Sequence, residues 1–348
     1  MNKKKPITLQ DMATQLGISK VSVSKALRGQ PDIGKATTEK VMALAEALGY
    51  RPNILAQKLT AKQTRTIGLV VPKIAHHFLT QAIDSIYTLA NEKNYDIVMM
   101  VSEENDALEK RHIETLLSMR VDGLLVSITE KTENTDIFAQ VKKNGTPLVF
   151  FDRVIQNIGA TCIHSEDFLG SEMLIKHAVS KGYQSFGHIG GYQHVSIGEQ
   201  RYAGFVAALK QNGLSADDNH VHFGGFSRAD GYIGLKELHS RGELPQIIFA
   251  VTYPVALGVL SYANEVGINI PDELDLVCFG SSDYNTFISP SITGIKQPAQ
   301  EIGQIALEQV LRQIQSPDEN SIECISVPVK LNQADTCIEF NPHPMRSQ

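Results

Sequence analysis

The sequence predicts an α/β protein preceded by a small all-α head. Three observations carry that reading. Three short amphipathic segments fill the first fifty residues, β-rich apolar runs alternate with helical stretches from Thr66 onward, and charge divides between the two parts. Residues 1–65 hold twelve Lys/Arg against four Asp/Glu, a net of +8. The other 283 residues hold twenty against thirty-four, a net of −14, and together they give the overall −6. A small basic block before a large acidic body points to nucleic-acid binding at the front.

The head is built element by element. Thr8 offers a hydroxyl N-cap with Asp11 in the first turn. Leu9, Met12, Ala13 and Leu16 then recur at helical spacing, and Gly17 stops the helix. Ser19 caps a second helix from Lys20 to about Leu27, so Gly17-Ile18-Ser19 joins two short helices as a helix-turn-helix. A third segment, about Lys35 to Leu48, lines up Val41, Leu44, Ala45 and Leu48 before Gly49 ends it. In such a unit the start of the second helix enters the major groove. Lys20, Val21, Ser22, Ser24 and Lys25 lie there. Lys can donate to guanine, Val can pack on a thymine methyl, and Ser hydroxyls hold phosphates. Pro52 then starts a short apolar-rich segment through Leu59, too short for stable helicity in water.

The body reads as two series of strands. The first is Ile67–Val71, Asp96–Met100, Gly123–Val126 and Pro147–Phe151. The second is Phe186–Gly190, His220–Phe223, Ile247–Ala250 and Leu276–Phe279. Helical stretches separate most of them. Nearly continuous apolar strands alternating with helices mean parallel sheets covered on both faces, and two series mean two similar lobes. In open parallel sheets ligands lie beyond the strand C-termini, so a ligand between two facing lobes is expected.

Composition bounds the rest. A chain of 348 residues, 42% hydrophobic and 20% charged, excludes wholesale disorder and fibrous classes. No run approaches the roughly 18–20 apolar residues of a membrane span, so no membrane partner is expected. Lys3-Lys4-Lys5 is followed by Pro6 and polar residues, without the apolar core of a secretion signal. The four cysteines (Cys162, Cys278, Cys324, Cys337) show no metal spacing, so reduced thiols in a cytoplasm are expected. There is no nucleophile elbow, GxxxxGK[ST] or HExxH, and the paired His76-His77 and His220/His222 have no evident third ligand. Binding rather than catalysis is expected, with no metal and no cofactor.

The residues also carry a resemblance. Ile7-Thr8-Leu9-Gln10-Asp11-Met12-Ala13, Gly17-Ile18-Ser19, Val23-Ser24-Lys25-Ala26-Leu27 and Leu48-Gly49-Tyr50-Arg51-Pro52-Asn53, running through Ala56 and Leu59 to Gly68, resemble the N-terminal module of the LacI/GalR family of bacterial transcription regulators. Arg120–Gly123, Phe151-Asp152-Arg153, Arg201–Phe205, Ile270–Glu273 and Gln297-Pro298 extend the resemblance over almost the whole chain. It implies a periplasmic-binding-protein-like core behind the helix-turn-helix head. It also implies a hinge helix that orders on operator DNA, with Leu59 wedged between base steps in the minor groove. Lys25, Arg28 and Gly34 depart from the usual Arg, Asn and Ser.

The expected organisation is a helix-turn-helix domain over 1–50, a hinge helix and linker over 51–65, a core over 66–340 and a tail over 341–348. Within the core, lobe 1 takes about 66–164 and 295–325, and lobe 2 about 165–292 and 326–340. The chain crosses between lobes near Ile163–Ser165, Ser291–Ile295 and Cys324–Val327. Expected DNA contacts are Thr8, Ser19, Lys20, Val21, Ser22, Ser24, Lys25, Arg28, Asn53, Ala56 and Leu59. Expected ligand contacts are His76, Phe78, Asp152, Arg201, Thr252, Tyr253 and Ser281.

The function implied is a cytoplasmic homodimer that binds near-palindromic operator DNA and is controlled by a small, sugar-like effector. Repression is the commoner behaviour in the family. Thr252-Tyr253 stand where Asn-Asp is frequent, Ser281 lacks the usual acidic pair, and Glu166-Asp167 replace Asp-Asn. A larger, acidic or phosphorylated saccharide or a non-sugar ligand fits these losses. So does a constitutive regulator with no effector. A solute-binding protein is the reading from another class, and it conflicts with the basic head.

Overall fold

The computed structural model describes residues 7–50, 63–133, 135–317 and 322–340. By internal contact the chain divides after Thr64, and the two units are described separately.

The head consists of α1 (Leu9–Leu16), α2 (Lys20–Leu27) and α3 (Lys35–Leu48). Thr8 forms a capping box. Its hydroxyl accepts from the Asp11 amide at 3.3 Å, and the Asp11 carboxylate accepts from the Thr8 amide at 2.8 Å. Two orphan donors of the first turn are thereby satisfied. Ser19 caps α2 through the Ser22 amide at 3.0 Å. Gly34 precedes α3 with no side-chain cap, in keeping with the missing hydroxyl. Gly17 closes α1 at φ 66°, in the left-handed region that favours glycine. Met12, Ala13, Val23, Ala26, Val41 and Ala45 are buried together as the core of the three helices.

The second unit contains two six-stranded sheets. In lobe 1, β1 (Thr66–Val71), β2 (Asp96–Val101), β3 (Gly123–Val126), β4 (Leu148–Phe151), β5 (Thr161–Ser165) and β11 (Cys324–Val327) run in the order β11-β5-β4-β3-β1-β2, all parallel. In lobe 2, β6 (Phe186–Gly190), β7 (Val221–Phe223), β8 (Ile247–Ala250), β9 (Asp275–Phe279), β10 (Thr293–Lys296) and β12 (Lys330–Asn332) run as β12-β10-β9-β8-β6-β7. Only β12 is antiparallel to its neighbour.

Helices cover both faces of each sheet, which is why β1, β3, β4, β6, β8 and β9 are buried from end to end. On one face of lobe 1, Leu69, Leu125 and Val149 pack with α4 (His77–Glu92) and α11 (Ala299–Gln315); on the other, Leu124, Val126 and Phe150 pack with α5 (Asp106–Ser118) and α6 (Asp136–Lys143). In lobe 2, Ile248 and Leu276 pack with α9 (Arg228–Ser240) and α10 (Tyr253–Val266), while Phe249 and Val277 pack with α7 (Asp167–Ser180) and α8 (Ser196–Gln211). The α9–α10 contact is close enough that a Cβ on Gly231 would lie 2.0 Å from the Val255 carbonyl oxygen.

The chain changes lobe three times: between β5 and α7, between β10 and α11, and between β11 and β12. The second change falls after Lys296, beyond the expected Ser291–Ile295. β10 pairs in parallel with β9 through Thr293, Gly294 and Ile295, so residues 293–296 belong to lobe 2. The third falls after Val327, a little beyond the expected boundary at 325, because β11 completes the lobe 1 sheet. All four cysteines are free thiols, three buried and Cys324 exposed. No helix among the described residues is long and apolar enough to cross a membrane.

Candidate functional site

In the head, the described side chains expected to meet DNA lie on α2 or cap it, except Thr8, which caps α1. Val23 and Ala26 turn into the core, which leaves Lys20 and Val21 outward. Val21 is 62% exposed, which is costly for an apolar side chain in water and suits one that packs on a base methyl. Thr8, Ser19 and Arg28 are exposed, and Ser22, Ser24 and Lys25 are half-buried. Several are already engaged. Lys25 pairs with Asp32, and the Arg28 Nε donates to the Ser24 carbonyl oxygen at 3.1 Å. The expected contacts Asn53, Ala56 and Leu59 lie outside the described residues.

In the second unit a cavity of about 350 Å³ opens between the lobes at the C-terminal ends of their strands. Its lining includes all seven expected positions: His76, Phe78, Asp152, Arg201, Thr252, Tyr253 and Ser281. Each comes from a strand end or the helix that follows. His76 and Phe78 follow β1, Asp152 follows β4, Arg201 lies in α8 after β6, Thr252 and Tyr253 follow β8, and Ser281 follows β9. Parallel strands in two facing sheets bring positions over two hundred residues apart into one site.

Asp152 has φ 62°, a left-handed conformation that Asp tolerates better than most residues. The turn sets its buried carboxyl in the cleft wall, where burial lifts its pKa to about 6 against the pull of Arg153 and then Arg201. Arg201 is 1% exposed. Its Nε and one terminal nitrogen both reach Oδ1 of Asp167 at 2.8 Å, the other terminal nitrogen donates to the Val251 carbonyl oxygen at 2.8 Å, and the guanidinium lies 3.8 Å from the Phe279 ring centroid. Burial pushes the Asp167 carboxyl upward and Arg201 opposes it. A guanidinium does not give up its proton, so protonating Asp167 would leave a buried cation without a counter-charge; the pair is ionic. His76 is driven down to about 4, chiefly by burial and then by Arg153, and is neutral at pH 7.

Some expected contacts are less available than their positions suggest. The Thr252 hydroxyl caps α10 through the Val255 amide at 3.3 Å and donates to the Phe226 carbonyl oxygen at 3.1 Å. The Tyr253 hydroxyl donates to Asn285 Oδ1 at 3.2 Å. Other lining residues were not anticipated from sequence. Arg153, adjacent to Asp152, reaches Glu104 at 2.9 and 3.0 Å and lies 4.8 Å from the Phe226 ring centroid. Gln297 opens the second lobe change and binds the Ser165 hydroxyl at 3.2 Å. Both stand in motifs that mark the family, which is the signal that could have found them. Ile197, Phe226 and Leu257 complete an apolar wall, and nothing in their sequence neighbourhood distinguishes them from core residues.

The lobes meet at the rims of this cleft. His77 Nε2 lies 3.5 Å from Asp283 Oδ2 on one side, and His194 Nε2 lies 2.7 Å from the Glu130 carbonyl oxygen on the other. The Val154 amide donates to the Ser196 hydroxyl at 3.2 Å. Among the described residues no group of three His, Cys, Asp or Glu side chains is arranged to hold a metal ion.

Comparison with known proteins agrees with this architecture. Residues 8–53 match the family model described as bacterial regulatory proteins, lacI family, and residues 175–337 match that of the periplasmic binding protein-like domain. The chain is similar to catabolite control protein A of Priestia megaterium, 26% identical over 302 residues, covering 86% of this chain and 90% of that protein. It is equally similar to the ribose operon repressor of Escherichia coli (strain K12), 26% identical over 310 residues, covering 89% and 94%. Among solved structures, the lac repressor dimer bound to operator and the anti-inducer ONPF shares the fold with a TM-score of 0.82, at 23% identity over 96% of this chain and 99% of that one. With a helix-turn-helix head that matches the lacI family model, two parallel-sheet lobes that match the periplasmic binding protein-like model over residues 175–337, and relatives that include operon repressors, the chain carries a lacI-type DNA-binding domain joined to a periplasmic-binding-protein-like body.

Proposed function

We propose that this protein is a homodimeric repressor whose affinity for operator DNA is set by a small hydroxylated ligand, sugar-like in shape, held between the two lobes. The observation that carries the proposal is the convergence of Asp152, Arg201, His76, Phe78 and Tyr253 on one cavity, in a chain that also carries a helix-turn-helix head. A carboxylate and a guanidinium are suited to hydroxyl groups, and an aromatic face is suited to the apolar face of a sugar ring. A ligand can shift DNA affinity only by binding two conformations unequally. The rim contacts His77–Asp283, His194–Glu130 and Val154–Ser196 are among those that opening and closing of the lobes would break and make.

On the DNA, two heads in a dimer read two half-sites from the major groove, and Leu59 of each hinge wedges into the minor groove at the centre. A flexible pyrimidine–purine step is expected there. The head's net charge of +8 supplies the phosphate attraction. The site of action is the cytoplasm.

The test is selection of bound fragments from random duplex DNA, followed by thermal unfolding with a panel of saccharides. Symmetric half-sites at fixed spacing are expected, together with a ligand that raises the melting temperature and changes operator affinity. Asymmetric fragments without fixed spacing would overturn the dimer. A flat response across the panel would favour a regulator with no effector.

A further inference from the structure

We propose that the cleft is selective for uncharged ligands, because Asp167 and Glu104 hold its two guanidinium groups in ion pairs and leave no free cation among the described residues of its lining to meet a carboxylate or phosphate. The inference rests on the reading of the cleft as the effector site and fixes the chemical class of the effector.

Among the described residues, four side chains of the cavity wall can carry positive charge: Arg153, Arg201, His76 and His77. Arg153 is 3% exposed, and one of its terminal nitrogens donates to both oxygens of Glu104, at 2.9 and 3.0 Å. Arg201 meets Asp167, itself 6% exposed, through two nitrogens at 2.8 Å. Both pairs are nearly dry, so each guanidinium is neutralised at close range where the field is little screened. His76 is half-buried, and its pKa, driven down to about 4, leaves it uncharged at neutral pH. His77 stands at the rim against the Asp283 carboxylate. Asp152 adds a buried acid whose charge at neutral pH repels an anion further.

An Asn at position 167 would leave the Arg201 guanidinium uncancelled. The carboxylate that closes the Arg201 pair therefore also removes the anion-attracting charge from the cavity. The remaining donors of both guanidiniums still serve neutral hydroxyl oxygens. Phe226 and Phe279 stack on the guanidinium planes, and Ile197 and Leu257 continue that wall as an apolar surface. Together they favour an uncharged saccharide or glycoside with one apolar face over a sugar acid or sugar phosphate.

The chain has no tryptophan. Tyr284→Trp therefore places a single fluorophore at the mouth of the cleft, where Tyr284 is 69% exposed. The full-length reporter is titrated at constant ionic strength with inorganic phosphate, gluconate and glucose 6-phosphate, alone and combined with Asp167→Asn or Glu104→Gln. The same proteins are titrated with neutral pentoses, hexoses and disaccharides. The parent reporter is expected to respond to a neutral sugar and not to the anions. Each variant is expected to bind at least one anion about tenfold or more tightly than the parent, the gain expected when one close counter-charge is removed. A parent that binds gluconate or phosphate as tightly as the variants do would overturn the charge inference while leaving the cleft as the effector site. Silence of every protein toward every probe would overturn the cleft as a ligand site, and the inference with it. If Asp167→Asn fails to fold, Glu104→Gln and the parent still decide the question.

Discussion

At the scale of single residues, the cleft shows how one buried charge dictates its neighbour. Arg201 cannot discard its proton, so Asp167 must stay ionised beside it. Arg201→Ala would strand that carboxylate, at a cost of about 3–5 kcal/mol. Urea denaturation measures the loss, and a loss below about 1 kcal/mol would show that the carboxylate finds other partners. Glu109 is a second case. It is 1% exposed, accepts from the Thr129 amide and the Thr132 hydroxyl at 2.8 Å each, and burial raises its pKa to about 7 from an ordinary 4.5. A raised acid holds its proton longer in the folded state, so its contribution to stability is full below pH 4.5 and is lost as pH rises toward 7. Glu109→Gln removes that titration and keeps an acceptor for Thr129. It is expected to be more stable than the parent at pH 8, on the order of 2 kcal/mol, with the advantage gone near pH 4.5. Equal stability curves at both pH values would refute this. Asp152 and Arg201 were legible in the sequence because they sit in recognisable motifs, whereas Arg153 was not singled out although it shares the motif of Asp152. Ile197 and Phe226 were not, because an apolar residue facing a cavity carries the same local pattern as one facing a core.

At the scale of elements, capping chemistry made the head readable to the residue. Thr8, Ser19, Gly17 and Gly49 each punctuate a helix where their side chains or backbone freedom would place them. Removing the Thr8 hydroxyl in Thr8→Ala should cost about 1 kcal/mol of head stability. The lower melting temperature is expected without loss of the body's transition, followed by calorimetry on the full chain. Central strands were equally legible, since parallel strands buried on both faces read as unbroken apolar runs. Strands β5, β10, β11 and β12 did not stand out as strands. Thr161, His164 and Ser165 in β5 and Lys330 and Asn332 in β12 interrupt the apolar pattern, because these strands flank the lobe changes and meet solvent or polar partners along part of their length. Helix packing adds a constraint invisible to periodicity. Gly231→Ala drives a methyl group toward the Val255 carbonyl oxygen 2.0 Å away, so α9 and α10 must separate. A destabilisation of about 1–3 kcal/mol is expected by chemical denaturation, and an unchanged midpoint would mean that the helices slide without cost.

At the scale of the whole molecule, a net charge of −6 alone would argue against a nucleic-acid partner. The division into +8 and −14 reverses that conclusion. Operator affinity should fall steeply with added salt, roughly as the number of phosphates neutralised, and a salt slope near zero would sink the electrostatic account. The two sheets carry one further consequence. Each is finished by a strand from near the end of the described chain: β11 closes the edge beside β5, and β12 closes the edge beside β10. During synthesis the three head helices emerge first, whereas lobe 1 lacks α11 and β11 until residue 327 has been made. At roughly 5–20 residues per second, the ribosome-bound chain carries a completed DNA-reading head for tens of seconds before either sensing lobe can close. A message cut short before β11 would yield heads attached to bodies with open sheet edges, prone to pair with one another. The last strands to be made are thus what separates a closed two-lobe body from an aggregating fragment that carries a finished head.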